Sequence, residues 1–265
     1  MNLKQELKMP HGFLTIKRIN LPSGFPLPAY KEKGCTLKLL NRAFAGETLC
    51  FGKENVTCHG AAANFGLEDG LPKVPGGFGY FLSYGRGEDD SHPQGDSHPQ
   101  GDSRPQGDSR PQGFPPGERV KCSPEIGEKM FLSQPQNVMD GFDAICVKPY
   151  EQCDNADTVT ALVTPDQLSA LIHIFCFRKT SYENVIAPMV SGCASVFRIP
   201  FGELKREEPR AVIGNIDVFS RPHFAANTFF FTVSGKDFGI MLEDMGDSVL
   251  AASIWKGVKM RLYDS

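Results

Sequence analysis

The sequence lacks any C-x-x-C pair among its eight cysteines and has no apolar run long enough to cross a bilayer. The first absence removes the usual zinc-ribbon and ferredoxin spacings, so a metal site must be assembled from cysteines far apart in the chain. The second excludes a membrane-spanning helix: the most apolar stretch, residues 168–177, is short and contains His173. Positive charge is not in excess. Lys and Arg number 28 against 31 Asp and Glu, a net charge of −3, which argues against a large basic surface for nucleic acid. Motifs are missing too: there is no phosphate-loop signature, no G-x-G-x-x-G after a strand, no G-x-S-x-G and no H-E-x-x-H. Gly76-Gly77-Phe78-Gly79 reads as flexible loop, not as a nucleotide cradle. The first residues carry no apolar core of signal-peptide length. The cytoplasm is therefore the expected location, where cysteines are thiols or ligands rather than disulfides.

What is present fits a soluble globular chain. It has 265 residues, 40% of them hydrophobic and 22% charged, enough for one large domain with a real core. Residues 1–30 read as a weak helix ended by Pro10 and then a proline-rich extended arm; residues 31–265 read as the domain proper. Strands are expected at 35–40, 48–51, 142–148, 158–163, 211–213, 228–233 and 238–242. Helices are expected from Ser123-Pro124-Glu125, from Thr164-Pro165-Asp166-Gln167, from Ser191 through Phe197, and from Asp247-Ser248. The Thr164 start combines a capping box with proline at the first helical position, and Leu168, Leu171, Ile172, Phe175 and Cys176 follow on one face. Strands and helices mix without regular alternation, which predicts an α+β (mixed α/β) domain with a mixed sheet and flanking helices.

Inside this domain lies a low-complexity loop at residues 86–118. Asp-Ser-His-Pro-Gln-Gly occupies 90–95 and 96–101, and Asp-Ser-Arg-Pro-Gln-Gly occupies 102–107 and 108–113. Four tandem hexads without an apolar residue cannot bury a core and read as a solvated insert. Metal binding by His92 and His98 is the weaker alternative, because arginine replaces histidine in two units.

The chemistry concentrates in two short stretches. Val56-Thr57-Cys58-His59-Gly60-Ala61 sets a thiol beside an imidazole before a run of small residues that Gly66 ends. Thr57 reads as an N-cap, which places Cys58 in a first helical turn where the dipole favours a thiolate. Ser191-Gly192-Cys193-Ala194-Ser195 has the same character. A thiolate is what a nucleophile and a metal ligand both require. Cys58 and Cys193 are the principal candidate ligands, Cys50 and Cys122 the candidates to extend the set, and a homo-oligomer sharing ligands is another way to complete it. The blander alternative is that each cysteine is a small buried hydrophobe. Cys146 and Cys176 take that role, on an apolar strand and an apolar helix face. Cys35 and Cys153 receive no functional assignment. His59 need not share a site with Cys58, since neighbours on a helix point about 100° apart. Asp217, Arg221 and His223 form a polar group: Arg221 suits a carboxylate or phosphate, against an internal Asp217–Arg221 ion pair.

Three blocks carry a family resemblance. They are Lys38-Leu39-Leu40 with Cys58-His59-Gly60-Ala61 and Phe65-Gly66-Leu67; Val147-Lys148-Pro149 with Thr164-Pro165-Asp166-Gln167; and Gly192-Cys193-Ala194 with Gly214-Asn215-Ile216-Asp217 to Arg221. Together they resemble the uncharacterised archaeal conserved region family, domain of unknown function 169, over roughly residues 30–260, with the hexad insert as a departure. The resemblance implies a soluble protein of anaerobic archaea and bacteria, with Cys58 and Cys193 as the cysteines that match the family's motifs. It implies no settled activity. The expectation is a metalloprotein holding an iron–sulfur cluster of the four-iron type, with Gly60, Gly192 and Arg221 as candidate cofactor contacts and a redox partner or small anion as the partner. The rivals are an enzyme with Cys58 as nucleophile and His59 or His223 as base, and an anion-binding module built on Arg221.

Overall fold

The computed structural model describes residues 2–30, 35–56, 58, 60–74, 77–83, 118–152 and 155–262. The hexad insert, Thr57, His59 and Cys153 lie outside the described residues. In chain order the elements are α1 (Leu3–Glu6), β1 (Leu14–Ile19), α2 (Leu40–Phe44), β2 (Leu49–Gly52), α3 (Ala61–Phe65), α4 (Phe78–Ser83), α5 (Pro124–Leu132), β3 (Ala144–Pro149), β4 (Thr158–Val163), α6 (Pro165–Phe175), β5 (Val185–Ile186), α7 (Gly192–Val196), α8 (Arg198–Glu203), β6 (Ala211–Gly214), β7 (Phe229–Ser234), α9 (Gly235–Asp244) and α10 (Ser253–Arg261). The strands form one seven-stranded sheet in the order β2-β3-β1-β4-β7-β6-β5. All pairings are antiparallel except β5 with β6. The protein is a single α+β domain with a mixed sheet flanked by helices.

Both faces of the sheet are covered. Alternation along each strand sends one set of side chains to each side. Leu14, Ile16, Phe51, Ile145, Val147, Leu162 and Phe230 pack with residues of α2, α3, α7 and α8. Val159, Ala161, Val163, Phe231 and Val233 pack on the other side with α1, α6, α9 and α10. The first layer holds Cys193 in its core, with Cys35 and Cys58 packed against it. Among the described residues no helix is long and apolar enough to cross a membrane.

Several elements depart from expectation for identifiable reasons. Residues 14–19 are not arm but strand, and an interior one: β1 pairs with β3 on one side and β4 on the other. The boundary expected at residue 30 therefore cuts through the domain. The prolines that suggested an arm, Pro22, Pro26 and Pro28, begin only after β1 ends. Residues 36–39 form a 3-10 turn leading into α2 instead of a strand. The stretch expected as strand at 238–242 lies inside α9, started by Ser234, whose hydroxyl accepts from the Asp237 N–H at 2.9 Å. The helix beginning at Gly192 does not simply stop before Pro200; α8 follows at once, with that proline in its first turn. At α6 the expected start holds, with half of the capping box. The Gln167 carboxamide accepts from the Thr164 N–H at 2.9 Å and donates to Leu7 O at 3.0 Å, fixing the N-terminal segment, while the Thr164 hydroxyl has no hydrogen-bond partner.

Candidate functional site: a pocket of three thiols

Three segments bring sulfur to one place. Cys35 is the N-cap of the 3-10 turn Thr36–Leu39. The nearby backbone N–H groups of Leu37 and Lys38 favour its thiolate. Cys58 precedes α3, whose N-cap is Gly60 rather than Thr57, so this cysteine sits before the helix and not in its first turn. The nearby N–H groups of Gly60 and Ala61, and that of Thr36 from the neighbouring turn, work to lower its pKa. Cys193 is the second residue of α7, capped by Ser191, and is buried.

The three interact electrostatically. The neighbouring Cys193 thiol, with the backbone N–H groups of Leu37 and Lys38, outweighs burial and lowers the Cys35 pKa to about 7. The same interaction with Cys35, then burial, pushes Cys193 well above the ordinary thiol range, with the charge of Cys35 and Cys58 adding to it. Burial raises Cys58 in spite of its backbone donors. In this group Cys35 is the thiolate and Cys193 its proton-bearing partner. In metal-free protein Cys35 should therefore alkylate at a rate that rises with pH and levels off above about 7, because the thiolate is the nucleophile. Below that the rate falls roughly tenfold per pH unit as the thiol protonates. Peptide-resolved iodoacetamide kinetics check this, and a Cys35 midpoint at the ordinary 9.0 contradicts it.

The loop after β6 holds α7 in place. Asn215 sits in the left-handed region at φ 61°, fully buried. Its amide donates to Thr228 O at 3.0 Å, and its Oδ1 accepts from the Ser220 hydroxyl at 3.3 Å. That turn delivers Asp217 to the start of α7, where Oδ2 accepts from the Gly192 N–H at 3.1 Å. The Asp217 carboxylate also works against ionisation of both Cys35 and Cys193.

The other expected residues have different surroundings. Cys50 lies directly across from Cys146 in the β2–β3 pair, on the sheet face opposite the thiol pocket. Cys122 is exposed just before α5. The structure thus brings Cys193 and Cys58 together with Cys35, and neither Cys50 nor Cys122. Arg221 is not ion-paired to Asp217; its Nη1 donates to Asn215 O at 3.1 Å and Thr228 O at 3.0 Å, and the guanidinium lies over the Phe229 ring. It serves the loop backbone. Gly192 has a packing role: a Cβ there would lie 2.6 Å from Ser220 Cβ and 2.7 Å from Leu37 Cδ2. Gly60 has no such demand, its nearest neighbour being Asn64 Nδ2 at 3.5 Å. His223 is half-buried; burial and the positive charge of Lys38 lower its pKa. Sequence reasoning missed Cys35. The available signal was a cysteine directly before Thr36-Leu37-Lys38, where a turn exposes N–H groups to the preceding side chain, but the stretch reads more readily as a strand.

Among the described residues no group of three or more His, Cys, Asp or Glu is arranged to hold a metal ion. No curated protein and no solved structure matches the chain. The family model described as uncharacterised ArCR, domain of unknown function 169, matches residues 2–244, and with that coverage the chain belongs to this family.

Proposed function

We propose that Cys35, Cys58 and Cys193 bind an iron–sulfur cluster of the four-iron type as thiolates, and that the protein serves redox chemistry or sensing in the cytoplasm. The observation that carries this is the convergence of three cysteines from three separate segments, Cys193 in the core with Cys35 and Cys58 packed against the same cluster. Soft thiolate donors select iron–sulfur and other soft centres over hard cations. Hydrogen bonds to sulfur and burial are the levers that set a cluster's potential. A cluster spreads its irons over a volume and takes thiolates farther apart than a single ion does, which is why the proposal is a cluster. Three cysteines leave one position for an exogenous ligand or a residue of another subunit.

The test is iron and acid-labile sulfide analysis of the full chain prepared without oxygen. The protein should be brown with both elements present. Cys35→Ser, Cys58→Ser and Cys193→Ser should each lose most of the iron, while Cys50→Ser and Cys122→Ser keep it. Colourless protein, both as isolated and after anaerobic incubation with ferrous iron and sulfide, overturns the proposal. One feature favours a second reading, a cysteine-dependent enzyme: the neighbouring Cys193 lowers the Cys35 pKa while burial raises that of Cys58, which favours Cys35 rather than Cys58 as nucleophile. Colourless protein with a fast, selectively alkylated Cys35 is its signature.

A further inference from the structure

The Cys50–Cys146 pair belongs to a different place and a different chemistry. β2 is the edge strand of the sheet, and Cys50 pairs with Cys146 in its register. In an antiparallel pair such opposed residues alternate between those that exchange backbone hydrogen bonds and those that do not. The partners of Cys50 settle which kind this is. Its N–H donates to the Tyr30 hydroxyl at 2.8 Å, and its carbonyl accepts from Tyr30 at 3.2 Å and from Asn55 Nδ2 at 2.8 Å. Both backbone groups therefore face outward, away from β3. Cys50 and Cys146 form a non-hydrogen-bonded pair, the type whose Cα atoms approach to about 4.5 Å. That lies within the roughly 4.4–6.8 Å that a disulfide spans.

Their side chains share a face. Phe51, Ile145 and Val147 point into the core, so the alternating residues Cys50 and Cys146 point the other way. Both thiols are part-exposed. Lys17 is opposite Cys146 across the β1–β3 pair, and Lys148 is two residues along β3, so both lysines lie on the same face. Burial and the neighbouring Cys146 raise the Cys50 pKa, with Lys148 working the other way; the two lysines attract an anionic oxidant.

We propose that Cys50 and Cys146 form a reversible cross-strand disulfide by exchange with a small anionic disulfide of the glutathione class. A thiolate of the pair attacks one sulfur of the small disulfide; that S–S bond breaks, and a small thiolate leaves and takes up a proton. The second cysteine gives its proton to water and attacks the mixed disulfide, expelling the second small thiol. Two electrons pass from the protein dithiol to the oxidant, and two small thiols are produced. The bond staples the edge strand to β3 and constrains the chain that runs from Gly52 to Cys58.

The experiment uses reduced full-length protein and oxidised glutathione, with an acid quench, alkylation and fragmentation mapping of linked peptides. The expected result is a Cys50–Cys146 linkage that grows with time and is reversed by dithiothreitol. Cys50→Ser should leave Cys146 as a persistent glutathione adduct, because the resolving thiol is gone. The proposal is overturned if Cys50 and Cys146 stay fully alkylatable while other cysteines oxidise, or if either pairs mainly with a third cysteine. The wild-type map decides the matter even if a variant fails to fold. The iron and sulfide content of the other face bears on neither outcome.

Discussion

Replacing Arg198 by alanine should cost about 3–5 kcal/mol of folding stability, the range for truncating a large core side chain, and replacing it by methionine about 2. Arg198 is fully buried at the start of α8. Nε donates to Ala63 O at 2.9 Å, and Nη2 donates to the same carbonyl and to Glu68 O at 3.3 Å. Nη1 donates to Pro135 O at 3.0 Å and Gln136 Oε1 at 3.1 Å. The guanidinium stacks over Phe131 at 5.0 Å. Ala63 belongs to α3, and its carbonyl, which also accepts from the Gly66 N–H at 2.9 Å where the helix ends, takes the arginine as a second donor. The arginine thus joins α8, the end of α3 and the loop after α5, the bonds to Ala63 being buried and those to Glu68, Pro135 and Gln136 part-buried. Alanine leaves a cavity and removes the buried charged donor from Ala63 O together with the bonds to Glu68, Pro135 and Gln136, a hydrogen bond to a charged group being worth about 1.5–3 kcal/mol. Methionine fills the space and relieves the desolvation of a charge, which lowers the arginine's own pKa, so part of the loss is returned. Urea denaturation of both variants measures the two contributions separately. A methionine variant as stable as the wild type would show that filling volume, not the hydrogen bonding, is what the position requires.

That arginine illustrates what the sequence conceals. Elements specified by neighbouring residues were legible: Thr164-Pro165-Asp166-Gln167 announces α6, and Ser123-Pro124 announces α5. Phe238 to Leu242 reads as a strand from its apolar residues, yet the decision lies with Ser234 and Asp237, which cap the helix from the end of β7. The pairing of β1 between β3 and β4 is long-range, and nothing within residues 14–19 states which strands they join. The site follows the same division. Cys58 and Cys193 carry local marks in small residues and glycine. Cys35 carries none, because its place is fixed by Leu37 packing where Gly192 leaves room and by its own packing against the cluster that Cys58 also joins. Arg198 carries no local mark of its place either, although it is fully buried.

Gly192→Ala should dismantle the thiol pocket while a matched substitution elsewhere strengthens the fold. The new Cβ would lie 2.6 Å from Ser220 Cβ and 2.7 Å from both Ser220 Oγ and Leu37 Cδ2, so something must move. The tip of Leu37 can yield. Ser220 is buried and its hydroxyl is engaged with Asn215 Oδ1 and Asp217 O, so it resists. The start of α7 must then retreat from the turn at Thr36–Leu39, carrying Cys193 away from Cys35. Overpacking of this kind costs about 1–3 kcal/mol. The specific consequence is electrostatic: without the Cys193 donor, the Cys35 thiolate loses its largest stabilisation. Its alkylation midpoint in metal-free protein should climb from about 7 toward the ordinary 9.0, and iron content should fall with it. Gly239→Ala is the control. Gly239 lies in α9 with nothing within 4 Å of an added Cβ, so alanine should raise stability by up to about 1 kcal/mol through helix propensity. Denaturation midpoints and peptide-resolved alkylation on the two variants make the comparison. If Gly192→Ala loses stability but leaves the Cys35 midpoint near 7, the contact between α7 and the Cys35 turn is not what sets that thiol's acidity, and the three-sulfur arrangement must be held by something other than the close approach at residue 192.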